Sequence, residues 1–213
     1  NGWDVEVFAS DFNLSERCYK KLKRFQYSRI EFPAGIKWHW LWASSYKRNN
    51  WKRYLNLLSF SIHLFFKLNY LFLSKFKNPD IIIASSPQLP AAYICLLIAK
   101  LFKKPFVLEV RDLWPQVLME QSNNKKYNFF IKILSFMERK VYEGAEVVVV
   151  LAKGVSDYVI KRGAKKTIWL PNGPDLKLFR KIPLMPEEKM FSFKSPFNLL
   201  YAGAHGDANN LTN

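Results

Sequence analysis

The sequence predicts an α/β domain, a parallel sheet with helices on both faces. Three observations predict it. Short β-branched runs at 80–84, 106–110, 145–151 and 167–170 alternate with helical stretches at 91–102, 127–142 and 154–161, and alternation at these lengths builds parallel sheets. Each run ends in a loop of Ser, Pro, Asp, Asn or Gly, the residues that stop strands and start helices. Apolar residues make up 49% of the 213, which is enough for a core and excludes wholesale disorder.

Each element follows from its own residues. Residues 4–8 alternate apolar and polar side chains like a strand. Gly2, just before them, is the kind of residue that closes a helix. A second short strand is expected at 29–32. Residues 51–76 read as one long helix, with Asn49 or Asn50 placed to cap it. Its polar residues Lys52, Asn56, Ser59, His63, Lys67 and Ser74 lie three, four or seven apart, which gathers them into one narrow stripe. The run Asp-Ile-Ile-Ile-Ala at 80–84 reads as a strand buried on both faces. Residues 85–90 then turn into an apolar helix, and Pro105 introduces the next strand. Gly163 closes the helix at 154–161, and the fourth strand ends at Pro171, Asn172 and Gly173. Prolines and charges mark 181–196 as a linker. Residues 197–201 read as a fresh strand running into Gly203 and Gly206. The divisions expected are therefore a domain at 1–180, a linker at 181–196 and the start of a further domain at 197–213.

Charge narrows the function. The net charge is +16, and residues 17–53 alone hold eleven Lys and Arg against one acid, Glu31. No acid occurs between Glu31 and Asp80, and Trp38, Trp40, Trp42 and Trp51 fall in this zone. Such an excess calls for an anionic partner. Indole rings beside cations suit the headgroup layer of an anionic membrane, so residues 17–76 are expected to meet a membrane surface. Interleaved basic and aromatic residues also occur in single-strand nucleic-acid binders, and a solvated basic face is a third reading. The uncharged run at 54–66 is followed by Lys67, which argues against a spanning helix and for one lying in the interface. Two cysteines, Cys18 and Cys95, exclude a disulfide framework. The opening segment is charged and strand-like, unlike a secretory leader.

Ligands of open α/β sheets bind outside the carboxyl ends of the strands. Four loops lie there: 85–90, 111–115, 151–154 and 171–173. Glu109, Arg111 and Asp112 bring two acids and a cation to one strand end, and are the catalytic candidates. A carboxylate there can take a proton from a hydroxyl, and an arginine can hold a phosphate. The alternative is an Arg–Asp pair that ties the loop down. Ser85, Ser86, Pro87, Trp114, Asn172 and Gly173 are the candidates for substrate contact. His39, His63 and His205 stand apart in sequence, and there is no Cys-x-x-Cys, His-Glu-x-x-His, Gly-x-Ser-x-Gly or P-loop, so no metal site or serine-hydrolase elbow is expected.

Four stretches together resemble bacterial glycosyltransferases of family 4. They are Asp-Ile-Ile-Ile-Ala-Ser-Ser-Pro-Gln-Leu-Pro at 80–90, Pro-Phe-Val-Leu-Glu-Val-Arg-Asp-Leu-Trp-Pro at 105–115, Leu-Pro-Asn-Gly-Pro-Asp at 170–175 and Tyr-Ala-Gly-Ala-His-Gly at 201–206. The branch resembled builds O-antigen, capsule and colanic-acid polysaccharides and includes N-acetyl-fucosamine transferases. The resemblance implies a Rossmann-like sheet forming the N-terminal, acceptor-binding half of a GT-B fold. It also implies a retaining mechanism without metal or other cofactor. The donor would be a nucleotide-sugar and the acceptor a saccharide on polyprenyl diphosphate, at the cytoplasmic face of the inner membrane, with no nucleic acid as partner. Asp112 matches the acid of the family, whose His-Asp pair is here Arg111-Asp112. Asn172 and Gly173 match the loop facing the cleft, and Gly203, His205 and Gly206 match the first donor-domain loop. The opening strand with its glycine-rich loop and the paired donor-domain glutamates are not matched, so this stretch alone is expected not to turn over. Transfer to a soluble acceptor, and a non-enzymatic basic module, stay open beside this reading.

Overall fold

A computed structural model describes residues 2–13, 16–23, 25–47, 51–74, 79–86, 88–116, 128–181 and 201–203. Its strands are β1 (Glu6–Ser10), β2 (Phe12–Asn13), β3 (Cys18–Tyr19), β4 (Ser28–Glu31), β5 (Lys37–Leu41), β6 (Ile82–Ser85), β7 (Phe106–Val110), β8 (Val147–Val150) and β9 (Thr167–Trp169). Its helices are α1 (Trp51–Leu73), α2 (Leu89–Leu101), α3 (Asn128–Gly144), α4 (Ser156–Lys161) and α5 (Leu176–Phe179). The chain divides into two units at Pro171, residues 1–171 and 172–213.

The expected parallel sheet is present. It runs in the order β6-β7-β8-β9, every pair parallel. Phe106, Leu108, Val110, Val148 and Val150 point to the buried side and are almost fully enclosed. Helix α2 packs on β6 and β7, with α1 and α3 beside it. Leu89, Ala92, Leu96, Ile98 and Ala99 fill the space beneath α2. Its neighbour α3 comes very close at Gly144, where a Cβ would lie 2.5 Å from Leu96 Cδ1. Gly163 closes α4 as expected, at φ +112, a conformation other residues avoid.

One strand departs from expectation. β6 is buried on one face only, since Ile82 and Ala84 are covered while Ile81 is 41% and Ile83 64% exposed. An unbroken β-branched run shows no alternation, so sequence alone could not say that the two faces differ.

A second sheet precedes the first, in the order β1-β5-β4, with β1 parallel and β4 antiparallel to β5. Strand β5 went unread because Lys-Trp-His-Trp-Leu puts large rings on both faces and hides the period. Its His39 is fully buried, stacked on Phe8 at 4.4 Å, and bonded through Nε2 to Glu6 at 2.8 Å. Burial pushes the His39 pKa down against the pull of Glu6. For Glu6, burial works upward, but the hydrogen bonds from Lys37 and His39 outweigh it and lower the pKa. Asp11, also buried, accepts from the backbone N–H of Lys21 and Leu22, each at 2.7 Å, and so fixes the loop after the small β2–β3 pair.

Helix α1 connects the two sheets. The middle of its polar stripe, Asn56 to His63, turns inward toward the segment after β5, while Lys52 and Ser74 at its ends are exposed. Asn56 donates to the Ser44 carbonyl at 2.5 Å, Ser59 Oγ accepts from the Ser44 N–H at 2.8 Å, and His63 Nδ1 bonds the Ser59 carbonyl at 2.8 Å. The outward face carries Trp51, Leu55, Leu58, Ile62, Phe65, Phe66, Tyr70 and Leu73, all exposed. Among the described residues no helix is long and apolar enough to cross a membrane. The expected cap residues Asn49 and Asn50, residues 182–196 of the linker expected at 181–196 and residues 197–200 of the strand expected at 197–201 lie outside the described residues.

Candidate active site

Parallel pairing sets Ser85 beside Glu109 at the carboxyl ends of β6 and β7. There Ser85 Oγ donates to Glu109 Oε2 at 2.6 Å. The next residue, Ser86, is 3% exposed. Its backbone N–H donates to the Glu109 carbonyl at 2.9 Å. Its hydroxyl accepts from the N–H of Arg111 at 3.1 Å and of Asp112 at 3.4 Å, and donates to the Asp112 carbonyl at 3.1 Å. One hydroxyl offers one donor and two acceptor positions, so the capacity of Ser86 is used up within the protein. Expected at substrate, Ser86 instead shapes the loop that carries the acids.

The side chains of Arg111 and Asp112 both reach solvent. Among the described residues no ion pair joins them or engages either. The loop is tied down by Ser86 and by the Trp114 N–H donating to the Asp112 carbonyl at 3.1 Å. An ion pair is not needed for that, which leaves the carboxylate and the guanidinium for a ligand.

Trp114 differs from its expected part in contacting substrate. It is 5% exposed, and the Arg53 guanidinium from the first turn of α1 lies 4.9 Å from its ring centroid. What solvent meets there is the arginine, with the indole as its support. In the neighbouring loop, Gln88 Oε1 is buried without a hydrogen-bond partner, an acceptor suited to a ligand hydroxyl. Sequence reading missed both Arg53 and Gln88. The signal for Arg53 was a helix start with Lys52 and Arg53 but no acid in its first turn, the reverse of what the helix dipole favours.

The third strand-end loop, after β8, makes a 3-10 turn over Lys153–Val155, and its Leu151 carbonyl accepts from the Trp169 indole at 3.3 Å. Asn172 and Gly173 belong to the second unit and are exposed. In that unit the Asp175 carboxylate caps α5 by accepting from the N–H of Lys177 at 2.9 Å and of Leu178 at 3.3 Å. Gly203 lies against the Tyr201 ring. Pro87, His205 and Gly206 lie outside the described residues. Among the described residues no three His, Cys, Asp or Glu side chains converge as metal ligands.

A buried acid also sits away from these loops. Glu138 of α3 is fully enclosed, accepts from the Tyr158 hydroxyl at 3.0 Å, and has Arg162 at 3.4 Å. Burial raises the Glu138 pKa and pushes the Tyr158 hydroxyl to about 12. The group binds α3 to α4 and lies outside the candidate site.

The carboxyl ends of the parallel sheet thus carry a solvent-facing carboxylate and guanidinium with a buried, unpartnered acceptor in the neighbouring loop, at the edge where open α/β sheets bind ligands. Residues 1–173 match the family model of the glycosyl transferase 4-like domain, and the chain belongs to that family. No curated protein matches it. The coarse expectation of a family 4-like glycosyltransferase with a Rossmann-like half domain is thereby borne out.

Proposed function

We propose that this chain is the acceptor-binding domain of a retaining glycosyltransferase, acting without metal or other cofactor. Its donor is a nucleotide-sugar. Its acceptor is a saccharide on polyprenyl diphosphate, in the synthesis of bacterial surface polysaccharide at the cytoplasmic face of the membrane. The observation that carries the reading is the solvent-facing Asp112 carboxylate, held on a loop fixed by the buried Ser86 hydroxyl at the end of the parallel sheet. In the step envisaged, the acceptor hydroxyl oxygen bonds to the anomeric carbon of the donor on the same face that the diphosphate leaves, so that configuration is retained. The bond from that carbon to the nucleotide diphosphate breaks, the electron pair leaves with the diphosphate, and Asp112 takes the hydroxyl proton. Arg111 steadies negative charge beside it, and Gln88 Oε1 accepts from a sugar hydroxyl. Positioning and preorganised charge supply most of the rate.

The membrane reading is supported by the outward apolar face of α1 in a stretch with no acid from 32 to 79. A helix of this kind lies in the interface with its cations at the headgroups. It should carry the complete enzyme down with phosphatidylglycerol vesicles, and salt should weaken that binding without abolishing it. Loss of all binding at high salt would leave only electrostatic adsorption.

Asp112→Asn in the complete enzyme should lower kcat by about 10²–10⁴-fold, the usual share of a general base. Near-wild-type transfer would remove Asp112 from the chemistry.

A further inference from the structure

We infer that the loop at 20–29 is a second point of membrane contact, in which the Phe25 ring enters an anionic bilayer while Lys23 and Arg29 meet its phosphate headgroups. The inference rests on the membrane reading above and adds to it an element separate from α1.

The backbone at Phe25 is the first observation. Its φ is +66, in the left-handed region that bulky side chains avoid because Cβ crowds the following carbonyl. Burial does not offset this, since Phe25 is 81% exposed. The conformation is imposed by the loop around it. The Gln26 N–H donates to the Lys23 carbonyl at 3.0 Å, the Lys23 N–H donates to Gln26 Oε1 at 3.1 Å, and Gln26 Nε2 donates to the Ser28 carbonyl at 3.1 Å. Arg29 Nη1 donates to the Lys21 carbonyl at 3.0 Å, and the buried Asp11 holds the N–H of Lys21 and Leu22. Strain kept in place this way beneath an exposed ring points to a contact made by the ring, not to a need of the core.

Charge is the second observation. Residues 17–29 hold Arg17, Lys20, Lys21, Lys23, Arg24 and Arg29 and no acid. Glu16 pairs with Lys20, and Glu31 with Lys21 and Arg29, whereas among the described residues no ion pair engages Lys23. Lys23, Phe25, Gln26 and Arg29 line an open recess of about 500 Å³. An apolar ring flanked by cations matches the boundary of an anionic bilayer, where phosphates lie just above the acyl layer.

The third observation is where the loop sits. The Tyr27 ring stacks on His63 of α1, with centroids 5.8 Å apart. Phe66 and Tyr70 follow His63 by three and seven residues, so they share its side of the helix, and both are exposed. The loop therefore adjoins the outward apolar face of α1, and one surface can meet both. That continuity favours a bilayer over nucleic acid, which would leave the aliphatic Leu58 and Ile62 of the face without a partner. A second copy of the chain is disfavoured by repulsion, since each copy carries +16.

The test uses the full chain, with vesicles of phosphatidylglycerol or of phosphatidylcholine as probes and co-sedimentation as the readout. Phe25→Ala and Phe25→Gly should each weaken binding to phosphatidylglycerol vesicles by about tenfold, the effect of one ring staying in water. The melting temperature of Phe25→Gly should hold or rise, because glycine adopts this backbone conformation without strain. Lys23→Gln should weaken binding to phosphatidylglycerol by about fivefold and leave the weaker binding to phosphatidylcholine unchanged. Wild-type binding by a folded Phe25→Gly variant would overturn the loop contact while leaving the membrane reading through α1. A lowered melting temperature in Phe25→Gly would overturn it as well, by making the ring a packing residue. So would weaker binding of a single-stranded oligonucleotide, or loss of self-association, with vesicle binding unchanged. A wild type that binds neither vesicle would overturn the membrane reading itself, and this contact with it.

Discussion

Helices α1 and α2 lie against each other and are both rich in apolar residues, yet they use them in opposite ways. In α2 the buried positions are Ala, Leu, Ile and Cys packed over the strands, and the polar content is slight. In α1 the buried positions include Asn56 and Ser61, Ser59 accepts from the Ser44 N–H and the His63 ring lies against Tyr27 and Trp42, while eight large apolar side chains face out. The apolar residues of α2 hold the domain together. Those of α1's outer face do not, which makes that face available to a partner.

The comparison breaks most visibly at α2. Leu96→Ala removes a side chain that is 1% exposed and should cost about 2–5 kcal/mol, measured as the shift in urea unfolding. A loss near zero would mean that α2 is not the core helix described.

A smaller effect lies under the inward side of α1. His39 is buried near Glu6, Lys37 and Lys67, and its pKa lies below the usual 6.5. Between the folded and the unfolded pKa the unfolded chain binds more protons, so stability from this group is complete above about pH 6.5 and falls as pH drops. Replacement by Phe, which can keep the stack on Phe8, should flatten the slope of unfolding free energy between pH 6.5 and 5. An unchanged slope would assign the acid sensitivity to other groups.

Smallest for stability, and sharpest for the contrast, is the outer face of α1. The triple change Leu58→Ser, Ile62→Ser and Phe66→Ser should move stability by about 0.5 kcal/mol per site or less, as exposed positions do. The same variant should lose the salt-resistant part of vesicle binding. A large destabilisation would show that this face is packed.

These elements also show what sequence could and could not tell. The parallel strands were legible because β-branched runs between turn residues have few other uses, and 106–110 was read to the residue. Strand β5 was hidden because the indoles of Trp38 and Trp40 fill one face and the His39 ring sits on the other, so neither face reads as plainly apolar or polar. The loops of the site were legible from position alone, since strand ends are where such sheets bind ligands. The roles within them were not. Whether Ser86 serves a ligand or the loop depends on which atoms its single hydroxyl meets, and whether Trp114 is a platform for substrate or for Arg53 depends on a contact 61 positions away in the chain. Side-chain spacing carries no record of either.

The close approach of α3 to α2 has a consequence for how this domain can change. Leu96 fills the space that a side chain at 144 would need. A change of Gly144 to anything larger forces the buried Leu96 side chain to shift within a packed core, whereas shortening Leu96 first opens the room. The two positions are thus coupled in order as well as in kind. Viable descendants of this sequence that gain a side chain at 144 should already carry a smaller residue at 96, and the reverse succession should be rare.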